Sequence, residues 1–135
     1  MKYKLLIVSV LSFATCFFSC DEQKYSQGKI MYENFCANCH MDNGEGLAGL
    51  IPPLANADYL QEHGADLACV IKYGQKGKLM VNGIEYDQEM PGEKRFSDVE
   101  IANILNYINH AWGNDFGYIP VPDVTKALNA CEPEF

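Results

Sequence analysis

Positive charge is scarce in this chain. Ten Lys and Arg residues stand against eighteen Asp and Glu, a formal net charge of −8. Such a surface repels nucleic acid and anionic lipid headgroups, so nucleic-acid binding is excluded as a role. Tryptophan occurs once and histidine three times. No internal repeat and no low-complexity segment is present, and 48% of the residues are apolar, which excludes a disordered chain. Long apolar runs are missing too. Residues 5–18, uncharged and mostly apolar, fall short of the roughly 20 residues that span a bilayer. A second Cys or Cys/His pair that could complete a four-ligand zinc site is also lacking. With 135 residues, there is room for one domain.

What stands at the N-terminus predicts export. Lys2 and Lys4 precede the apolar run as a signal peptide's basic region does. An uncleaved apolar anchor is the alternative. The run ends at Phe17-Phe18-Ser19-Cys20, and charge begins at once with Asp21 and Glu22. This stretch resembles a bacterial lipobox, in which cleavage precedes a cysteine that then carries lipid. It departs from that pattern by holding Phe and Ser where Leu and Ala or Gly are usual. The expected order is a signal peptide at 1–19, a tether at 20–25 held to a membrane through lipidated Cys20, a domain at 26–113 and a tail at 114–135 packed on it. Cys16 is a weaker lipidation candidate, because apolar residues still follow it. The mature chain keeps eight basic residues against all eighteen acids, a net charge of −10.

Within the domain, Ile30, Met31, Tyr32 and Phe35 recur at helical spacing and run into Cys36. A glycine-rich loop follows. Residues 58–73 read as helix, broken near Gly64 and stopped by Gly74. Residues 75–96 lack a helical period, and Val81-Asn82-Gly83-Ile84 reads as a tight hairpin turn. Ser97 and Glu100 form a capping box ahead of a helix whose expected apolar face is Val99, Ile101, Ile104, Leu105, Tyr107 and Ile108. A short helical stretch is expected near 124–128.

The motif that carries chemistry is Cys36-Ala37-Asn38-Cys39-His40. Thioredoxin-like exchange would need a strand before the motif, but a helical pattern precedes it. Covalent haem fits better. Two thiols three residues apart match the two vinyl groups on one haem edge, and the adjacent histidine can ligate the iron.

With these residues in view, the chain from about Ser26 to Gly113 resembles the class I c-type cytochromes. The resemblance rests on Gly28 and Tyr32 before the motif, Pro52 and Leu54 in Pro52-Pro53-Leu54 after the motif, Met90-Pro91, and Ile104 and Tyr107 in the last helix. It implies an all-α cytochrome c fold of three to four helices around one covalent haem c, with the C-terminal tail added. It further implies that the Pro52 carbonyl orients His40, that Leu54 packs on the haem, and that His40 and Met90 ligate the iron. Met80 is the runner-up for the sulfur ligand. Met31 reads as core, Met41 lies too close to His40, and His63 and His110 read as surface residues. A sulfur-filled sixth position implies one-electron transfer without bond chemistry, hence a carrier and not an enzyme. An open-iron peroxidase or gas sensor is the alternative. Segments such as IPPLANADYL and VNGIEYDQEMPG resemble the small cytochrome domains associated with bacterial reductases, dehydrogenases and oxidases. That implies a respiratory redox partner protein, no small-molecule substrate, and a place in the periplasm or cell envelope.

Two further expectations concern the remaining residues. Cys69 and Cys131 are left over in an oxidising compartment and are expected to pair, drawing Phe116, Tyr118 and Ile119 onto the helices. Residues 72–95 carry five cations (Lys72, Lys76, Lys78, Lys94, Arg95) against four acids, so this stretch is expected to form a docking face.

Overall fold

A computed structural model describes residues 24–131. The expected signal peptide, Cys16, lipidated Cys20 and most of the tether lie outside the described residues. Helix α1 (Ser26–Phe35) runs into α2 (Ala37–His40) through a break at Cys36. Helix α3 (Asp58–His63) and α4 (Leu67–Tyr73) are separated by a 3-10 turn over Gly64–Asp66. Four short strands follow, β1 (Gly74–Gln75), β2 (Leu79–Val81), β3 (Ile84–Tyr86) and β4 (Met90–Pro91). Helix α5 (Asp98–His110) and α6 (Val121–Ala130) close the fold. None of the described helices is long and apolar enough to cross a membrane.

Two expectations need correction. The fold is not purely α-helical: β1 pairs antiparallel with β4, and β2 with β3. The cause is local. Residues 74–96 are interrupted by glycine and proline and offer no helical stripe. At the β2–β3 turn Asn82 and Gly83 both have positive φ, the conformation a two-residue hairpin requires. There are also more helical segments than three or four. Gly64 splits the middle helix, the cysteine motif closes a short helix of its own, and the tail forms α6.

The core is organised by α1 crossing α5. Gly28 is buried at the crossing, where a Cβ would lie 2.0 Å from the Asn103 carbonyl oxygen and 2.8 Å from Tyr107 Cβ. One turn on, fully buried Tyr32 packs its ring 5.4 Å from Tyr107 and 5.0 Å from Trp112. Its hydroxyl donates to the Met41 carbonyl at 2.6 Å. Helix α5 starts at the predicted capping box: Glu100 N–H donates to Ser97 Oγ, and Ser97 N–H donates back to the Glu100 carboxylate. Its inner face is Ile101, Ile104, Leu105 and Ile108, all buried, whereas Val99 is 53% exposed and lies off that face.

Buried asparagines fasten the tail, a feature sequence reasoning missed. Asn106 donates to the Ile119 carbonyl and accepts from Ile119 N–H, each at 2.7 Å. Asn109 donates to the Gly117 carbonyl. Val124 and Ala127 of α6 are buried, and Thr125 donates to Asp98 at the start of α5. Cys69 on α4 and Cys131 after α6 are joined by a disulfide, with Cα atoms 5.8 Å apart. Ile119 is buried and Phe116 half-buried against the core, but Tyr118 stays 63% exposed.

Candidate haem site

The short helix α2 brings the motif together. His40 N–H donates to the Cys36 carbonyl at 2.9 Å, closing a helical turn that sets positions i, i+3 and i+4 on one side. Cys36, Cys39 and His40 therefore line the same cavity, of about 550 Å³. That volume falls within the roughly 300–1,000 Å³ of ligand and cofactor sites. Cys36 is half-buried and Cys39 exposed. Burial, with a smaller effect from Cys39, pushes the Cys36 thiol up to about 11.

His40 is 8% exposed, and its Nδ1 lies 3.1 Å from the Pro52 carbonyl oxygen. A carbonyl only accepts, so Nδ1 carries the proton and Nε2 is left with its lone pair. Burial lowers the imidazole pKa, partly offset by this hydrogen bond. Burial favours the neutral ring and the bond to Pro52 orients it, and a neutral, oriented imidazole is the form that binds a metal. Pro52 and Leu54 line the cavity as well. Their loop is held by backbone bonds from Leu54 and Ala55 N–H to the Gly44 carbonyl. Asn114, which the sequence reading overlooked, donates to the Leu54 and Ile108 carbonyls and accepts from Asn56 N–H. It ties this loop to the end of α5. The pattern Trp-Gly-Asn just after a helix was its only trace in the sequence.

The rest of the wall is mostly apolar and comes from α4, α5 and the hairpin. Met90 lines the cavity from β4, where it is paired with Gln75 of β1. Gly74, at φ +91, makes this approach possible, since a Cβ there would meet the Met90 carbonyl oxygen at 2.5 Å. Met80 is 53% exposed, faces Glu85 across the hairpin and does not line the cavity. Nor do Met31, His63 or His110. His63 stacks on Tyr59, and His110 on Tyr25.

A family model for cytochrome c matches residues 25–112. The chain belongs to the cytochrome c family. A cytochrome c-552 of Thermus thermophilus is 41% identical over 83 residues, covering 58% of this chain and 63% of that protein. The cytochrome c subunit of a quinone alcohol dehydrogenase of Gluconobacter oxydans (strain 621H) is 35% identical over 110 residues, covering 78% of this chain and 23% of the subunit. A subunit, CcoP, of a Cbb3-type cytochrome c oxidase of Azospirillum sp. (strain B510) is 31% identical over 100 residues, covering 69% and 30%. The chain thus spans less than two thirds of each of these relatives. As a family member it is an electron-transfer cytochrome with one covalent haem c. The cavity fits that group: two thiols and an oriented imidazole on one wall, a thioether on another, and apolar side chains between.

The expected basic docking face is not one of free cations. Lys76 pairs with Glu89 at 3.2 Å, Lys78 with Glu85 at 2.7 Å and Arg95 with Glu93 at 2.6 Å. Lys72 donates to the Phe96 carbonyl. Most of the positive charge counted along residues 72–95 is neutralised where it stands.

Proposed function

We propose that this chain is a one-electron carrier of the bacterial cell envelope, with haem c held by thioethers to Cys36 and Cys39 and its iron between His40 and Met90. Haem c supplies an iron that changes charge by one electron. The protein's residues do the rest. Pro52 holds the His40 ring in one tautomer and orientation, which raises ligand basicity. Leu54, Ile104, Leu105 and Ile108 exclude water. The Met90 thioether, a soft ligand, favours the ferrous state. With His40 and Met90 both engaged, no position is left for peroxide or a gas, so the open-iron alternative is disfavoured.

The observation that carries this reading is the placement of the two sulfur candidates. Met90 reaches the cavity that His40 lines, while Met80 points to solvent. Two of the relatives named above are subunits of a dehydrogenase and of an oxidase, which supports a respiratory enzyme as redox partner. In this reading the chain is exported and anchored through lipidated Cys20. The test is spectroscopic. Met90→Ala is expected to abolish the near-infrared sulfur-to-iron band of the oxidised holoprotein and let cyanide bind, while Met80→Ala leaves the band intact. The opposite pattern would transfer the role to Met80.

A further inference from the structure

The hairpin β2–β3 forms one wall of the haem cavity through Leu79, Val81 and Tyr86. Its base is held by β1 pairing with β4. Two residues tie its tip to α3. Asp58 N–H, at the start of α3, donates to Asn82 Oδ1 at 3.0 Å. Asn82 N–H donates to Asp58 Oδ1 at 2.7 Å. The same carboxylate oxygen accepts from Tyr59 N–H at 2.7 Å, the first turn of its own helix. Two backbone donors and two side-chain acceptors, 24 residues apart in sequence, are thus matched reciprocally.

We propose that Asp58 and Asn82 are a latch that keeps the hairpin closed over the haem cavity. They act as positioning residues that govern access of water and small ligands to the iron. Three features favour a latch over an incidental surface contact. Asn82 has φ +51, and the Asn82-Gly83 turn that requires it also presents both the N–H and the side chain to α3. The strands are three residues each, and a short isolated hairpin is marginal in water without support. Finally, the chain returns from Tyr86 to Met90 in four residues, so motion of the hairpin is passed directly to the strand that bears the thioether. Opening at the tip exposes Leu79, Val81 and Tyr86 together, which unseals the cavity on the side from which Met90 enters.

The latch rests on the reading of Met90 as a ligand only for its effect on iron access; hairpin closure itself does not. The test therefore uses two measurements on the ferric holoprotein: amide hydrogen exchange at Val81, Ile84 and Tyr86, and the rate of cyanide binding. Asp58→Ala removes the Asn82 N–H bond to the Asp58 carboxylate, one of the two bonds that close the latch, and losing one bond to a charged acceptor raises the open population by about tenfold. Asp58→Ala is expected to speed both exchange and cyanide entry by about that factor. Asp58→Asn keeps an acceptor oxygen at the same place and is expected to stay near wild type. Asn82→Gly keeps the turn's positive φ but removes the Asn82 acceptor, and is expected to fall between. Should Asp58→Ala not fold, Asn82→Gly carries the test. Wild-type exchange and cyanide entry in Asn82→Gly would overturn the latch. So would Asp58→Asn opening as far as Asp58→Ala, because charge and not the paired acceptor would then hold the contact. Fast cyanide binding to wild type, with exchange still responding to Asp58→Ala, would leave the latch standing and refute Met90 ligation instead.

Discussion

Gly28→Ala probes the crossing on which the whole site depends. The added Cβ would lie 2.0 Å from the Asn103 carbonyl oxygen, 2.7 Å from its carbon and 2.8 Å from Tyr107 Cβ. Comfortable contacts between such atoms are about 3.5 Å or more. The obstacle is backbone, which cannot rotate away as a side-chain tip can, so α1 and α5 must separate by roughly 1 Å. Overpacking of this kind costs about 1–3 kcal/mol. Separation also loosens the ring cluster of Tyr32, Tyr107 and Trp112, where a gap of about 0.5–1 Å forfeits a quarter to a half of each contact. Against this, replacing a mid-helix glycine by alanine favours the helix by about 0.5–1 kcal/mol. The balance is a loss of about 2 kcal/mol. Guanidinium unfolding of the holoprotein, followed by far-UV circular dichroism, is expected to show a lower midpoint at unchanged slope. Gln27→Ala, one position away on an exposed site, is expected to leave the midpoint nearly unchanged. A Gly28→Ala protein as stable as wild type would refute the argument, because it would mean that the crossing can widen at no cost.

Three other outcomes are expected. Ser97→Ala removes the cap of α5 and costs about 1 kcal/mol. The Glu100 carboxyl lies below its ordinary 4.5 because Ser97 N–H and hydroxyl donate to it, so its contribution is present at neutral pH and vanishes as pH falls below that value. Ser97→Ala loses the hydroxyl donor and keeps the backbone N–H, so acid titration of stability is expected to flatten only in part in that variant. The Cys69–Cys131 bridge spans 62 residues, for which chain entropy gives about 4 kcal/mol. Cys131→Ser is expected to lower the urea midpoint accordingly, and denatured, unreduced holoprotein is expected to show no reactive thiol; two per chain would exclude the bridge. Cys20→Ser is expected to shift the protein from the membrane to the soluble fraction, and continued membrane binding would favour an uncleaved apolar anchor.

What could be read from the sequence was local in origin. The spacing Cys36, Cys39, His40 is one helical turn, so it sets two thiols and an imidazole on one side whatever surrounds them. Ser97 with Glu100 and Asn82 with Gly83 each fix a helix start or a turn within four residues. The stripe Ile101, Ile104, Leu105 and Ile108 follows from helical periodicity. The tertiary structure decided the rest, because those features depend on which segments meet. Met80 and Met90 both lie in short strands with no periodicity to rank their facing. Only the pairing of Gln75 with Met90 turns one of them to the cavity. Lysines that looked like a basic face found acids across the hairpin, since Lys78 and Glu85 become neighbours only when β2 and β3 pair. Val99 belongs to the expected apolar face of α5 yet is exposed, because at about 3.6 residues per turn it lies on the side opposite Ile101, Ile104, Leu105 and Ile108. Asn106, Asn109 and Asn114 look polar and therefore superficial in a sequence. Each is buried because the folded chain brings backbone carbonyls to its side-chain amide, and burying such groups unpaired is costly. Asp58 and Asn82 are likewise ordinary turn and helix-start residues until folding sets them face to face.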